Sequence, residues 1–200
     1  MIENNRVSAS DLIAAIEWSW IAFGLYWLTA SQRIKAARTT ESPVYRIFRL
    51  VLLLITFTLL FAKWTAVSFL GRGIFPQKPL LSYIGFAFVL AGLETAIWAR
   101  LSLGQYWSDK VVLKVDHQLV RSGPYARMRH PIYSGVLLGV AGSALVLDQW
   151  RGVLAFLLLL TNYTVKAKRE DKILAEAFPG NFAEHERNAG FLFPRLFPRR

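Results

Sequence analysis

The residues best suited to chemistry lie together in Arg121–Gly135, RSGPYARMRHPIYSG. Three arginines, one histidine, two tyrosines and two prolines run here straight into an apolar segment. Guanidinium groups can grip an anion through paired donors, and an imidazole can change charge near neutral pH. Pro131 suits the first position of a helix, where its missing N–H costs nothing. The start of that helix is also a positive dipole end, whose exposed N–H groups suit an anionic ligand group. Basic residues and aromatics flank membrane helices routinely, so Arg129, His130, Tyr125 and Tyr133 serve a headgroup-belt reading equally well.

A second cluster, Lys166, Arg169, Glu170 and Asp171, lies far along the chain. A solvated charged face is the default for such a run. The functional alternative is a carboxylate that holds a ribose or an ammonium group, beside a cation that orients a substrate carboxylate. His117 and His130 together with Glu170 and Asp171 match no common metal-ligand spacing. Adjacent acids on a helix also diverge by about 100°. A solvated surface, with no metal, is therefore expected there.

The elements that must position these residues are apolar spans. A span needs about 20 mostly apolar residues. Candidates run from Leu12 to Ala30, Ile47 to Leu70, Leu80 to Trp98, Pro131 to Leu147 and Gly152 to Val165. Glu17 and Glu94 are costly carboxylates inside two of them; Glu17 is expected to face the interface or a neighbouring helix, and Glu94 to be a buried carboxylate. Lys63 is placed to snorkel. Gly85 and Gly92, and Gly135, Gly139 and Gly142, give small faces for close helix crossing. Asp148-Gln149 turns the last two spans into an antiparallel hairpin. Beyond them KAKREDKILAEAF reads as an amphipathic helix leaving the membrane, closed by Phe178-Pro179-Gly180. A short helix over Asn181–Asn188 and an interfacial tail follow.

Composition fits this layout. Of 200 residues, 54% are hydrophobic, and the net charge is +11. The basic residues cluster between the apolar runs, as loops held against anionic headgroups do, so the charge points away from nucleic acid. There is no cysteine, which excludes disulfides, thiolate chemistry and a prenylated C-terminal cysteine. No cleavable signal peptide is evident. Five spans place the three basic segments on one side, which the positive-inside rule makes cytosolic. The expectation is an all-α, multi-pass integral membrane protein with five transmembrane helices. It forms a single membrane domain over 1–200, with three N-terminal spans in 1–99 and the chemical core in 100–200.

The ordered set LGQYWS, HQLVRSGPYARMRHPIYSG, RED-x-x-L-x-x-x-F at Arg169–Phe178 and the closing Phe193-Pro194 resembles the isoprenylcysteine carboxyl methyltransferase family. More broadly it resembles the membrane methyltransferases that include phospholipid N-methyltransferases. The likeness covers about Leu103 to Pro194. It implies a pocket for S-adenosylmethionine built by the long loop, the start of the penultimate helix and the C-terminal segment. By resemblance, Lys110, His117, Gln118, Leu119, Val120 and Tyr125 contact that cofactor. His130, Pro131, Ile132 and Tyr133 wrap its amino-acid end, and Glu170 binds it. Arg129 and Lys166 fall at catalytic, substrate-handling positions. The sequence departs from the family at Asp171, which stands for a second glutamate, and at Phe182 and His185, which stand for a tyrosine pair. It departs again at Lys166, which stands for a substrate-facing arginine.

The resemblance implies a lipidic substrate entering from the bilayer, most simply a prenylcysteine carboxylate. A carboxylate is ionised at neutral pH and needs no base, whereas a phospholipid amine must first lose a proton. A phospholipid N-methyltransferase, an NADPH-dependent enzyme of the sterol-reductase type and a non-catalytic scaffold are the alternatives.

Overall fold

The computed structural model describes residues 9–30, 42–75, 79–104 and 119–195. The described residues fold into helices α1 (Ala9–Ala30), α2 (Pro43–Phe61), α3 (Pro79–Leu103), α4 (Pro131–Leu147), α5 (Trp150–Ala177) and α6 (Pro179–Asn188). Short 3-10 turns lie at Lys63–Thr65, Ser68–Gly71 and Gly123–Ala126.

α4 is the central helix. Val140 is fully buried, and Val136, Leu137 and Val146 join the core formed with Ile16, Trp20, Val89, Leu93 and Leu159. A helix apolar all round is a buried helix, and this one has neighbours on every side. Its closest partner is α3, because glycines face each other across the crossing. A Cβ built on Gly85 would lie 2.7 Å from the Gly142 carbonyl oxygen, and one on Gly92 would lie 2.5 Å from the Gly139 nitrogen. No larger residue fits at either place without parting the helices, so the small faces read from the sequence do meet. α1 crosses the same helix through Trp20, whose Nε1 donates to Ser143 Oγ at 3.0 Å.

The layout differs from the expected spans in three respects. The second span was expected to reach Leu70, but α2 ends at Phe61, and Lys63 lies in the 3-10 turn beyond it. Arg151 closes that end: its Nη1 donates to the carbonyls of Leu59 at 3.2 Å and Ala62 at 2.7 Å, and to Thr65 Oγ1 at 3.0 Å. Terminal helix carbonyls need donors, and a buried arginine supplies them here. Glu94, expected to be buried, is exposed on α3. Finally, length and composition alone pick out three helices able to cross a membrane, within Ser10–Ala30, Pro43–Phe61 and Pro79–Leu103. α4 is shorter, and α5 joins the expected fifth span and the polar helix after it into one uninterrupted rod. The many large apolar side chains exposed on α1, α2 and α3 mark an integral membrane protein.

At the opposite end of the bundle from His130, Asp148 ends α4 in a left-handed conformation, with φ of 50°. Its carboxylate accepts from the backbone N–H groups of Ile74 at 3.3 Å and Phe75 at 3.0 Å. The α4–α5 hairpin is thereby tied to the α2–α3 connection.

Candidate functional site

The start of α4 is where the two chemical clusters meet. His130 sits at the N-cap of α4, with Pro131 at the first helical position. The His130 side chain is buried, only 5% exposed, and the long rod of α5 lays Glu170 and Asp171 against it. Its Nε2 lies 2.8 Å from Asp171 Oδ1, and its Nδ1 lies 3.6 Å from Glu170 Oε2. The adjacent acids were expected to diverge into solvent. They do diverge, but the imidazole spans the angle between them and meets one with each nitrogen. Burial by itself would lower the His130 pKa; the bonds to Asp171 and Glu170 outweigh it and hold the value above 6.5. Burial opposes ionisation of Glu170 in turn, and Lys166 and His130 overcome it, so its pKa falls below the ordinary value.

Glu170 has two further partners. Tyr133 Oη donates to its Oε1 at 2.7 Å, and Lys166 Nζ lies 3.6 Å from the same oxygen, one helical turn earlier on α5. The Lys166 ammonium also sits over the Tyr133 ring, 5.1 Å from its centre. The His130 and Tyr133 rings stack at 5.5 Å. The result is a compact polar knot at the end of an otherwise apolar bundle.

Arg129 belongs to the other side of that knot. Its Nε and Nη2 each lie 3.1 Å from Asp171 Oδ2, and Nη2 lies 3.3 Å from Glu186 on α6. The rings of Phe182 and Phe191 flank the guanidinium at 6.0 and 5.5 Å. The backbone closes the same contact: Arg129 N–H donates to the Gly190 carbonyl at 2.8 Å, and Gly190 N–H donates to the Arg127 carbonyl at 2.9 Å. The segment 189–195, read from sequence as an interfacial tail, is therefore strapped across the start of α4.

Two cavities adjoin the knot. The smaller, about 60 Å³, is lined by Leu103, Leu119, Val120, Tyr125, Arg129, Asp171, Leu174, Phe182 and His185. The larger, about 740 Å³, is a groove between α1, α2, α4 and α5. Trp20, Phe23, Gly24, Trp27 and Leu28 line it from α1, and Arg46, Arg49, Leu50, Leu53 and Phe57 from α2, both at helical spacing. Ile132, Tyr133 and Val136 of α4 and Asn162, Tyr163 and Lys166 of α5 complete it.

The residues singled out in the sequence thus divide. Leu119, Val120, Tyr125 and Arg129 face the small cavity, while Ile132, Tyr133 and Lys166 face the groove. His130 and Glu170 stand between, and Pro131 is buried where the helix begins. Lys110, His117 and Gln118 lie outside the described residues. Phe182 and His185, the departures on α6, are both buried. Burial, with Arg129 and Arg121 nearby, pulls the His185 pKa down to about 4, so it is neutral at physiological pH. Sequence reasoning missed Arg49, Asn162 and Tyr163 as groove residues and left Arg46 just ahead of the second span. The i, i+3, i+4 spacing of Arg46, Arg49 and Leu50 was the available signal.

The stretch from α3 to the end of α5 carries most of these parts, and it resembles known proteins. The sequence model of the isoprenylcysteine carboxyl methyltransferase (ICMT) family matches residues 84–176. That segment belongs to the ICMT family. Relatives include the cobalt-zinc-cadmium resistance protein CzcN of Cupriavidus metallidurans, 36% identical over 60% of this chain and 51% of its own length. The uncharacterized protein YpbQ of Bacillus subtilis is 30% identical over 50% of this chain and 61% of its own. The protein-S-isoprenylcysteine O-methyltransferase of Saccharomyces cerevisiae is 28% identical over 60% of this chain and 56% of its own. The chain therefore spans between half and about three-fifths of these relatives. The matched ICMT segment holds His130, Tyr133, Lys166 and Glu170, whereas Arg46 and Arg49 on α2 precede it.

Proposed function

We propose that the protein is an S-adenosylmethionine-dependent methyltransferase of the membrane. Its acceptor on this reading is the carboxylate of a prenylcysteine-like lipid, methylated at the cytosolic face. The observation that carries the reading is that a small cavity lined by Arg129 and Asp171 and a long, mainly apolar groove lined by Tyr133 and Lys166 are joined by one chain of side chains, Asp171–His130–Glu170–Tyr133. A two-substrate enzyme joining a polar donor to a greasy acceptor needs such a junction. α4 and the apolar half of α5 would complete five membrane helices around it.

The donor set fits the cofactor. Two carboxylates, Glu170 and Asp171, suit an ammonium group, and the first-turn N–H groups of Ile132 and Tyr133 suit a carboxylate. Tyr125, Leu119 and Val120 offer a ring and apolar walls for a nucleoside, with Lys110, His117 and Gln118 as further contacts. When bound, its sulfonium supplies an activated methyl group that passes to a carboxylate oxygen while sulfur keeps the bonding pair, and no proton moves. The protein's part is then placement. Lys166 draws the acceptor carboxylate to the groove end, and Glu170 and Tyr133 hold that ammonium in place. Arg129 acts as a positioning residue: it ties Asp171, α6 and the 189–195 strap together and thereby keeps His130 between the two acids. The apolar groove excludes water from the exchange.

Isothermal titration of the purified protein with S-adenosylhomocysteine tests the reading. Saturable one-site binding is expected. Binding of NADPH in its place would overturn it in favour of a reductase, and binding of neither would leave a scaffold.

A further inference from the structure

The groove beside the polar knot has a definite depth. Its lining on α1 runs from Leu28 to Trp20, and on α2 from Arg46 to Phe57. At a rise of about 1.5 Å per residue these stretches span about 12 and about 16 Å. Lys166 marks the end at the knot. Trp20 and Phe57 mark the far end, where their rings meet edge to face with centroids 5.0 Å apart. Trp20 is held there from several sides. Its Nε1 donates to Ser143 Oγ at 3.0 Å, and Ser143 Oγ in turn donates to the Gly139 carbonyl at 2.9 Å. The six-membered ring of the indole lies on Gly139, where a Cβ would come within 3.0 Å of Cζ2. Phe23 meets the indole edge to face at 5.8 Å. A buried indole N–H needs a partner, so the Ser143 bond fixes which way the ring points. Beyond the indole the same seam opens again. A cavity of about 20 Å³ lies between Ile16, Leu60, Ser143 and Val146. Ser143 borders that cavity and carries the Trp20 bond, so the indole stands between the two spaces.

We infer that Trp20 is the stop that sets the length of the lipid tail, and that the groove it closes takes a tail of three isoprene units rather than four. The inference deepens the proposed function and rests on the groove being the acceptor site. An extended carbon chain with bonds of about 1.5 Å and angles near 111° advances about 1.25 Å per bond, so a two-isoprene tail is about 9 Å long, a three-isoprene tail about 14 Å and a four-isoprene tail about 19 Å. Only the middle one fills a groove of about 12–16 Å with its head at the knot. The shorter tail leaves the turn at Trp20 and Phe57 without contacts, and the longer one meets the indole. Trp20 cannot swing aside cheaply, because it would give up the Ser143 bond at a buried site. Trp20 and Phe57 lie on α1 and α2, ahead of the segment matched by the ICMT family, so the stop belongs to the part of the chain outside that match. Removing the indole would join the groove to the small cavity at Ile16, one helical turn further along α1. That adds about 6 Å, room for one more isoprene unit.

The test is calorimetric titration of the full chain in detergent with N-acetyl-S-geranylcysteine, N-acetyl-S-farnesylcysteine and N-acetyl-S-geranylgeranylcysteine, which share a headgroup and differ by one isoprene unit at each step. Wild type is expected to bind the farnesyl probe at least about fivefold more tightly than the geranylgeranyl probe, the low end of what forcing extra carbons into a filled space costs. Trp20→Ala is expected to abolish or reverse that preference. Gly24→Leu works in the opposite direction. Gly24 lines the groove one turn nearer the knot, and nothing lies within 4 Å of a Cβ there, so the new side chain shortens the groove without disturbing the core. It is expected to shift the preference from farnesyl to geranyl, and it decides the matter should Trp20→Ala fail to fold. Equal affinity of wild type for the farnesyl and geranylgeranyl probes would overturn the inference. So would a farnesyl preference left intact by a folded Trp20→Ala protein or by Gly24→Leu. Binding of none of the three probes would remove the groove as acceptor site and the inference with it. Titration with S-adenosylhomocysteine runs alongside: its failure would count against the methyltransferase reading, while the three probes still reported on Trp20.

Discussion

Replacing Gly92 with alanine tests whether the α3–α4 crossing sets the geometry of the site. The new Cβ would lie 2.5 Å from the Gly139 nitrogen and closer still to the Gly135 carbonyl oxygen, against an ordinary contact of 3.4 Å or more. The helices must therefore part by about 1 Å, since both obstacles are backbone and cannot rotate away. Overpacking of this kind costs about 1–3 kcal/mol, and a gap of 0.5–1 Å forfeits roughly a quarter to a half of each contact's dispersion energy along the seam. For a chain of this size the melting temperature should fall by roughly 2–12 °C. Because α4 carries His130 and Tyr133, a shift of about 1 Å should also lower methyl transfer by up to ~100-fold. Gly24→Ala is the control, since nothing lies within 4 Å of a Cβ there. Its melting temperature should be unchanged or slightly raised. Thermal unfolding in detergent, followed by tryptophan fluorescence, reads both variants. A Gly92→Ala protein that melts with wild type would refute the reasoning.

Two further outcomes follow from the electrostatics. Glu170→Gln removes the charge proposed to hold the cofactor ammonium, and titration calorimetry should show S-adenosylhomocysteine binding about 10–150-fold more weakly, the worth of a charge-assisted hydrogen bond; an unchanged affinity would remove Glu170 from the site. His185 has a folded pKa of about 4, below its ordinary 6.5, so as pH falls through 6.5 the unfolded chain takes up a proton that the folded one refuses. Stability should drop by ~2 kcal/mol between pH 8 and pH 5 on this account. His185→Gln should flatten that part of the stability profile, and an unaltered slope in the variant would show that His185 is not its source.

Much of the layout was legible from the sequence because membrane helices are written in long apolar runs and their packing in glycines. Gly85, Gly92, Gly139 and Gly142 were read as a close crossing, and they are one. The end of α2 was not legible. Hydropathy continues past Phe61, and only the three-dimensional placement of Arg151, far along the chain, shows why the helix stops. The pairing of His130 with both Glu170 and Asp171 was hidden for a related reason. Helical periodicity says that adjacent acids diverge, but not that a ring from another helix spans the angle between them. Arg46 fell just outside the expected second span because positive charge beside an apolar run is the commonest signature of a membrane boundary. Its role as a groove wall depends on α1 and α5 lying opposite it. Arg129 looked like a substrate residue by resemblance, yet it is engaged by Asp171, Glu186 and the strap, which supports positioning instead.

The central claim is that a methyl group passes at the junction of the small cavity and the groove to an anionic lipid. The most direct measurement is transfer of radiolabelled methyl from S-adenosylmethionine by the purified protein, offered a farnesylcysteine analogue or phosphatidylethanolamine. Label is expected in an alkali-labile ester of the farnesylcysteine analogue and none in the phospholipid. Label in phosphatidylethanolamine, or no label in either acceptor from protein that binds S-adenosylhomocysteine, would contradict it.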